Sequence, residues 1–122
     1  MGMEVGGKIH NYHVRRAIDY IKKNYDKPLS LNDMAKYLGL NKSYFSHLFK
    51  KETGKTYSQF VNQIRVEKSK ELIVSTNLSL LDIALSVGYN NQNYYNMAFK
   101  KITGLTPLRY RNKFTYKVSN EF

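Results

Sequence analysis

Leu29-Ser30-Leu31-Asn32-Asp33-Met34-Ala35-Lys36-Tyr37-Leu38-Gly39 is followed 49 residues later by Leu78-Ser79-Leu80-Leu81-Asp82-Ile83-Ala84-Leu85-Ser86-Val87-Gly88, and this repeated stretch decides the fold. Six of the eleven positions are identical in the two copies. Each copy leads into an aromatic-rich segment that ends Phe49-Lys50-Lys51-Glu52-Thr53-Gly54 or Phe99-Lys100-Lys101-Ile102-Thr103-Gly104, where the offset has grown to 50. Because two copies are too few for a solenoid, the repeat indicates two similar subdomains in tandem.

Each copy has the start and stop signals of a helix-turn-helix. Ser30 and Ser79 each stand three residues before an aspartate, a spacing that is typical of a capped helix start. Gly39 and Gly88 end the two short helices, because glycine adopts a positive φ without steric penalty. Asn residues then begin the second helix of each copy, which we call the reading helix.

Three further helices are predicted outside the repeats. Apolar residues at helical spacing predict a first helix over about 11–24, and a Thr-x-x-Gln pair opens a long connecting helix over 57–75. Thr106-Pro107 predicts a last helix to about Lys113, since proline suits the first helical position. No segment shows a competing strand pattern. The expected fold is therefore all-α, with about seven helices forming two helix-turn-helix subdomains joined by a long connecting helix.

The expected domain boundaries follow from these elements. They are a disordered leader or cloning remnant over 1–10, a first helix-turn-helix subdomain over 11–56, a connecting helix over 57–76, a second subdomain over 77–114 and a tail over 115–122.

The composition favours a polyanionic partner. Twenty Lys and Arg against nine Asp and Glu give a formal charge of +11, and a basic surface gains free energy by releasing counterions from phosphates. The chain has no cysteine, which fits a reducing, cytoplasmic setting and excludes Cys-ligated zinc. No cofactor or metal is expected; His10 and His13 could pair on a metal, but surface histidines are the simpler interpretation. No apolar run is long enough to span a membrane.

The outward faces of the reading helices carry side chains that suit base recognition. In the first copy the helical wheel turns Ser43, Ser46, His47 and Lys50 outward; in the second it turns Gln92, Asn93, Asn96, Met97 and Lys100 outward. Amides can bond adenine bidentately, serine and histidine can bond base edges, and methionine can touch a thymine methyl. No Lys or Arg occurs between Glu71 and Phe99, so the second copy is expected to rely more on neutral contacts.

Two alternatives concern the aromatic residues of the reading helices. Tyr44, Phe45, Tyr94 and Tyr95 could stack on unpaired bases, as in proteins that bind single strands. Their helical spacing instead predicts that all four lie in the core.

The chain resembles the DNA-binding domain of AraC/XylS-type transcription regulators over about His13 to Lys113. The resemblance rests on the doubled segment with its Leu-Gly and Val-Gly turns, both Phe-Lys-Lys endings, Arg65, and the closing Gly104-Leu-Thr-Pro-Leu-Arg-Tyr-Arg111. It implies two helix-turn-helix subdomains joined by a long helix, and a promoter site of about two turns of double-stranded DNA. It also implies transcription activation through contact with RNA polymerase.

The resemblance assigns roles to individual residues. The base-contacting positions of the family fall on Ser43, Ser46, His47, Gln92, Asn93, Asn96 and Met97. The expected phosphate contacts are Lys42, Lys50, Lys51, Arg65, Lys100, Lys101 and Arg111. The sequence departs from the family at His47 and Met97, where arginine is common, which weakens the expectation of guanine-centred recognition.

Two other classes of function are less well supported. No nucleophile elbow, P-loop or zinc-hydrolase helix is present, so an enzyme is not expected. A basic helical module that binds a partner protein or an anionic membrane surface is the alternative, but it has no need of the two glycine turns. With 122 residues, the chain is expected to be monomeric and either self-contained or the C-terminal part of a longer regulator.

Overall fold

The computed structural model describes residues 11–119, with side chains to Thr115, and in this part of the chain every regular element is a helix and no strand occurs. The leader, His10 and the end of the tail lie outside the described residues. The helices are α1 (Tyr12–Asn24), α2 (Leu31–Leu38), α3 (Lys42–Thr53), α4 (Tyr57–Ser75), α5 (Leu80–Ser86), α6 (Gln92–Thr103) and α7 (Pro107–Ser119). The all-α prediction of seven helices with two helix-turn-helix pairs, α2–α3 and α5–α6, is confirmed.

The chain divides into two compact units, and the division falls between Val61 and Asn62, inside α4. The connecting helix is therefore shared by the two units, whereas the sequence predicted a separate segment over 57–76. The first turn of α4 completes the first unit, and the rest of α4 belongs to the second.

The first unit packs α1, α2 and α3 around one core that the start of α4 closes. Phe45 and Phe49 are fully buried and meet the ring of Tyr57 edge-on, with ring centroids 5.8 and 5.6 Å away. The other buried apolar residues of this unit are Val14, Ala17, Ile21, Met34, Ala35, Leu38, Leu48 and Val61. The buried residues of α1, α2 and α3 recur at helical spacing, but Tyr44, which the sequence placed in the core, is exposed.

The second unit repeats this arrangement, with the later part of α4 in the position of α1. Its fully buried residues Val66, Ser69 and Ile73 have the spacing of Val14, Ala17 and Ile21, at an offset of 52. Ser69 is the one polar member, and its hydroxyl donates to the Val66 carbonyl at 2.8 Å, which satisfies the donor. Phe60, Ile64 and Leu72, the other large apolar residues of α4, are only half-buried.

The turns of the two helix-turn-helix pairs close with the same hydrogen bonds. The amides of Gly39 and Leu40 donate to the carbonyls of Lys36 and Ala35, at 3.0 and 2.9 Å. In the second unit Gly88 donates to Leu85 at 3.1 Å, and Tyr89 donates to Ala84 at 2.9 Å. Both patterns are Schellman motifs with a glycine of positive φ, 72° and 107°.

Two helix ends differ from the prediction. Helix α5 ends at Ser86 and Val87 is its C-cap, so Gly88 follows the helix by two positions instead of ending it directly. Helix α7 continues to Ser119, beyond the predicted end near Lys113, because no Gly or Pro follows Pro107 to interrupt it. Residues 115–119 are therefore helical where a tail was expected.

Candidate nucleic-acid interface

Helix α3, the first reading helix, is oriented by its cap and its buried face. The Asn41 side chain accepts from the Tyr44 amide at 3.1 Å, which fixes the helix start. Phe45 and Phe49 hold one face in the core, with exposures of 0%. The opposite face therefore points away from the core, and it carries the residues that the sequence predicted as outward.

A surface depression of about 700 Å³ lies along this face. Its lining residues are Leu31, Lys42, Ser43, Ser46, His47, Lys50, Lys51 and Thr56. Every base-contact and phosphate-contact candidate of α3 lines this depression, and apart from the half-buried Ser46 all are exposed. The three lysines on this concave surface suit the phosphates of a nucleic-acid backbone. The hydroxyl and imidazole groups beside them suit the edges of the bases.

Helix α6, the second reading helix, is fixed in the same way. The Asn91 side chain accepts from the Tyr94 amide at 2.9 Å, and Tyr95 and Phe99 are fully buried. Asn93 and Met97 are exposed, and Met97 shows 66% of its surface to solvent. This face carries amide and thioether groups where α3 carries hydroxyl and imidazole groups.

Two of the predicted base contacts on α6 are less accessible than the sequence suggested. Gln92 and Asn96 are half-buried. The Oδ1 atom of Asn96 is shielded from solvent and has no hydrogen-bond partner among the described residues. An amide that bonds adenine bidentately presents both of its polar atoms, so Asn96 cannot do so without a side-chain rotation.

The prediction that all four reading-helix aromatic residues are core is wrong for two of them. Phe45 and Tyr95 are buried, but Tyr44 and Tyr94 are 53% and 65% exposed. The 100° step of the helix turns these two tyrosines away from their buried neighbours, towards the side of Lys51 and Lys101. Both tyrosines are therefore available to a ligand, because two adjacent aromatic residues of a helix do not lie on one face.

The lysines at the ends of the reading helices are accessible. Lys50, Lys51, Lys100 and Lys101 are all exposed in the last turns of α3 and α6. The candidate phosphate contacts on these helices are thus free of the core and can reach a ligand.

The two arginines predicted to contact phosphate are engaged within the second unit. Arg65 lies over the Tyr89 ring, with 5.5 Å from Cζ to the ring centroid. Arg111 donates to three backbone carbonyls, those of Ile73, Thr76 and Leu78. These contacts give both side chains a structural role that the sequence did not reveal; their phosphate contacts stay predictions.

Two tyrosines of the second unit have strongly shifted pKa values. Burial raises the pKa of Tyr89 to about 12, and the charge of Arg65 opposes this shift. Burial likewise raises the pKa of Tyr95 to about 12, against the opposing effects of Ser69 and Arg111. Both phenols stay neutral at physiological pH and form part of the scaffold.

Other kinds of site find little support in this structure. Within residues 11–119 no group of three His, Asp or Glu side chains could hold a metal ion. None of the helices in the described part of the chain combines the length and apolarity that crossing a bilayer requires.

Comparison with known proteins points to a single family. A family model described as a helix-turn-helix domain matches residues 34–113. The melibiose operon regulatory protein of Escherichia coli K12 is 31% identical over 100 residues, which cover 82% of this chain and 33% of that protein. The structure of the C-terminal domain of AraT, a response regulator from Geobacillus stearothermophilus, is 38% identical with a TM-score of 0.80. The match covers 84% of this chain and 86% of that one.

A third similarity concerns the fold alone. The DNA-binding domain of AdpA, a global transcriptional factor solved in complex with a target DNA, has a TM-score of 0.81 at 16% identity, over 88% of this chain and 96% of that one. The chain spans between a third and about two thirds of the length of the first curated relatives that it matches.

Proposed function

Because the chain belongs to the AraC-type family of helix-turn-helix transcription regulators, whose domains bind DNA, we propose that it reads specific sequences in double-stranded promoter DNA. In this proposal α3 and α6 each enter a major groove and their outward side chains contact base edges. The protein acts as a transcription activator that binds as a monomer and contacts RNA polymerase, in the cytoplasm.

The depression along α3 is the observation that carries the proposal. It brings Ser43, Ser46 and His47 together with three lysines on one concave surface of the first unit. Specific recognition needs this combination, because lysines place the protein on the phosphates while neutral polar groups distinguish the bases.

The length of α4 supports a site of two consecutive major grooves. Its 19 residues span about 28 Å at 1.5 Å per residue. Successive major-groove faces on one side of B-DNA lie roughly 34 Å apart. A single polypeptide with a connector of this length can insert one reading helix into each of the two grooves. We therefore propose a site of about two DNA turns.

A randomised-site selection tests the assignment of the reading residues. His47→Ala and Asn93→Ala should each change the base preference at a few positions, in different halves of the selected site. Each lost base contact should reduce discrimination by about 1 to 3 kcal/mol. Lys50→Ala should instead weaken binding to all sequences and reduce the salt dependence. Asn112→Ala, which alters an exposed asparagine on α7, serves as the control and should leave the preference unchanged.

Two results would contradict the proposal. Unchanged base preferences in both the His47 and Asn93 variants would show that these helices do not read the DNA. A footprint of a single turn would show that only one helix enters a groove. Activation is tested separately, by transcription from a promoter that carries the selected site with purified RNA polymerase.

A further inference from the structure

The junction between α4 and α5 is short and has few hydrogen bonds of its own. Four residues, 76–79, separate the end of α4 at Ser75 from the start of α5 at Leu80. The last carbonyls of a helix have no partner within the helix and need donors from elsewhere. Thr76 supplies one donor, since its hydroxyl donates to the Leu72 carbonyl at 2.6 Å.

The side chain of Arg111, on α7, supplies further donors. Its Nε donates to the Ile73 carbonyl at 3.0 Å, and its Nη1 donates to the Leu78 carbonyl at 2.8 Å. A longer bond, 3.3 Å, joins Nη2 to the Thr76 carbonyl. One rigid guanidinium thus binds the end of α4 and the residue just before the Ser79 cap of α5. Such planar, charge-assisted bonds fix geometry more strongly than a flexible ammonium can.

The first unit closes the corresponding junction by different means. The residue equivalent to Arg111, at an offset of 50, is Val61, a buried apolar side chain. There the link between α1 and α2 is two residues longer and contains Pro28, and the Lys27 amide donates to the Asn24 carbonyl at 3.0 Å. The arginine clamp is therefore a feature of the second unit.

The same guanidinium acts on the buried face of the second reading helix. Burial is the main cause of the raised pKa of Tyr95, and the positive charge of Arg111 acts to lower that pKa. Tyr95 is fully buried and anchors α6. Arg111 is thus hydrogen-bonded to the residue that precedes the cap of α5, and its charge also acts on the buried tyrosine that anchors α6.

We propose that Arg111 is a positioning residue, which holds α5 and through it α6 in the orientation that reads the second half of the DNA site. This inference rests on the proposed function, because it assumes that α6 enters a groove. In this proposal the Arg111 side chain binds carbonyls within the second unit. The sequence had instead predicted that it contacts a DNA phosphate.

Two measurements on the complete chain test the assignment. The first is amide hydrogen exchange of the free protein. Arg111→Ala should accelerate exchange at the hydrogen-bonded amides of residues 82–86 on the order of tenfold, because the junction opens more often. Arg111→Lys should give a smaller increase, since one ammonium cannot reach three carbonyls. Arg109→Ala removes the same charge from an exposed position of α7 and is the matched control.

The second measurement is a hydroxyl-radical footprint on the selected site. Arg111→Ala should lose protection in the half read by α6, with an apparent affinity there about tenfold weaker, because fewer molecules hold the binding-competent arrangement. Protection in the half read by α3 should stay as in the parent, and Arg111→Lys should recover part of the loss.

The outcomes decide whether Arg111 positions α5 and α6 or has no such role. Exchange equal to that of the parent, or equal losses in both halves of the footprint, would overturn the positioning role. If Arg111→Ala does not fold, the Lys variant decides by the same criteria. If the parent itself protects no second half, the proposed function fails, while the exchange experiment still tests the clamp.

Discussion

The two units share an internal scaffold but differ in most of the polar side chains on their reading faces. Their glycine turns close with the same pairs of hydrogen bonds, and Thr53 and Thr103 each donate to the carbonyl four residues earlier at 2.8 Å. Their reading helices share only the exposed tyrosines Tyr44 and Tyr94 and the final lysine pair among the side chains that they turn outward. The backbone arrangement therefore depends on a small set of capping and core residues, and the outward face can vary freely over it.

The distribution of charge separates the units most clearly. The first unit lines its depression with three lysines, whereas between Glu71 and Phe99 the second has no Lys or Arg. The reading faces are thus expected to contribute differently to affinity, the first through phosphates and the second through neutral contacts and DNA shape.

Removal of the lysines gives the largest expected effect. Replacement of Lys42, Lys50 and Lys51 by Gln should reduce the slope of log K against log salt by up to about 2.7, and weaken binding on the order of 100-fold near 0.1 M salt. Replacement of Lys100 and Lys101 should reduce the slope by at most about 1.8. Salt titrations of binding to the selected site, followed by fluorescence anisotropy, measure both.

Lys22→Gln with Lys23→Gln is the control, because it removes two exposed charges from the last turn of α1, outside the candidate interface. A control slope as low as that of the Lys100 and Lys101 variant would mean that general charge, and not the reading helices, governs affinity. A total slope reduction for the Lys100 and Lys101 variant as large as that for the Lys42, Lys50 and Lys51 variant would contradict the predicted asymmetry.

The glycine turns should differ in their tolerance of a side chain. Gly39 has φ 72°, inside the left-handed basin, so Gly39→Ala should cost about 1 kcal/mol of unfolding free energy. Gly88 has φ 107°, outside that basin, so Gly88→Ala should cost about 2 to 3 kcal/mol. Urea denaturation measures both, with Lys36→Ala on exposed helix surface as the control. A larger loss from Gly39→Ala than from Gly88→Ala would contradict this ranking.

The sequence predicted the fold well because its signals are local. Ser30, Ser79 and the Thr56–Gln59 pair cap the helices as their spacing implies, with bonds of 2.9 to 3.1 Å. The end of α7 was predicted less well, since helix ends without Gly or Pro carry weak local signals.

The sequence predicted the placement of candidate site residues only where these residues lie on the same face of a single helix. The outward face of α3 follows from the helical wheel, and all its members line one depression. The bonds of Arg111 to carbonyls more than 30 residues away depend on packing between helices, which no local pattern encodes. The exposure of Tyr44 and Tyr94 was missed because tyrosine suits both core and surface.

The pair of buried polar groups in the second unit should give it a distinct response to alkali. Tyr95 and Ser69 replace Phe45 and Ala17 of the first unit. The folded protein keeps the Tyr95 phenol neutral up to pH about 12, whereas the unfolded chain ionises near its ordinary pKa of 10. The contribution to stability is therefore fully present below pH 10 and is lost as the pH rises towards 12.

Tyr95→Phe should make this alkaline loss of stability shallower, because one of the two phenols with raised pKa values is removed. Tyr89→Phe should do the same, but it also loses the bond to Asn62 Oδ1 at 2.6 Å and lowers stability at neutral pH by about 1 kcal/mol. Urea midpoints between pH 8 and 12 measure both. An alkaline slope that neither variant changes would assign the sensitivity to other groups.

The smallest expected difference concerns the caps of the two reading helices. Asn41 and Asn91 accept from the amides of Tyr44 and Tyr94 at 3.1 and 2.9 Å, although their φ angles are −65° and −148°. The offset between the copies grows from 49 to 50 across this turn, so the second copy has one more residue there. That residue changes the backbone approach to the cap and leaves the bond intact. Asn41→Ala and Asn91→Ala should each cost about 1 kcal/mol of unfolding free energy, equal within about 0.5 kcal/mol, by urea denaturation.

Aspartate at the same two positions separates capping from DNA contact. Asn41→Asp and Asn91→Asp retain the accepting oxygen and add a negative charge at the helix N-terminus, which stabilises the free protein by up to about 0.5 kcal/mol. The same charge repels phosphates, so both variants should bind DNA more weakly while they unfold at higher urea. Weaker binding in only one variant would show that the two helix starts approach the backbone differently. Lower stability in either would show that its cap depends on the amide nitrogen as well as the oxygen.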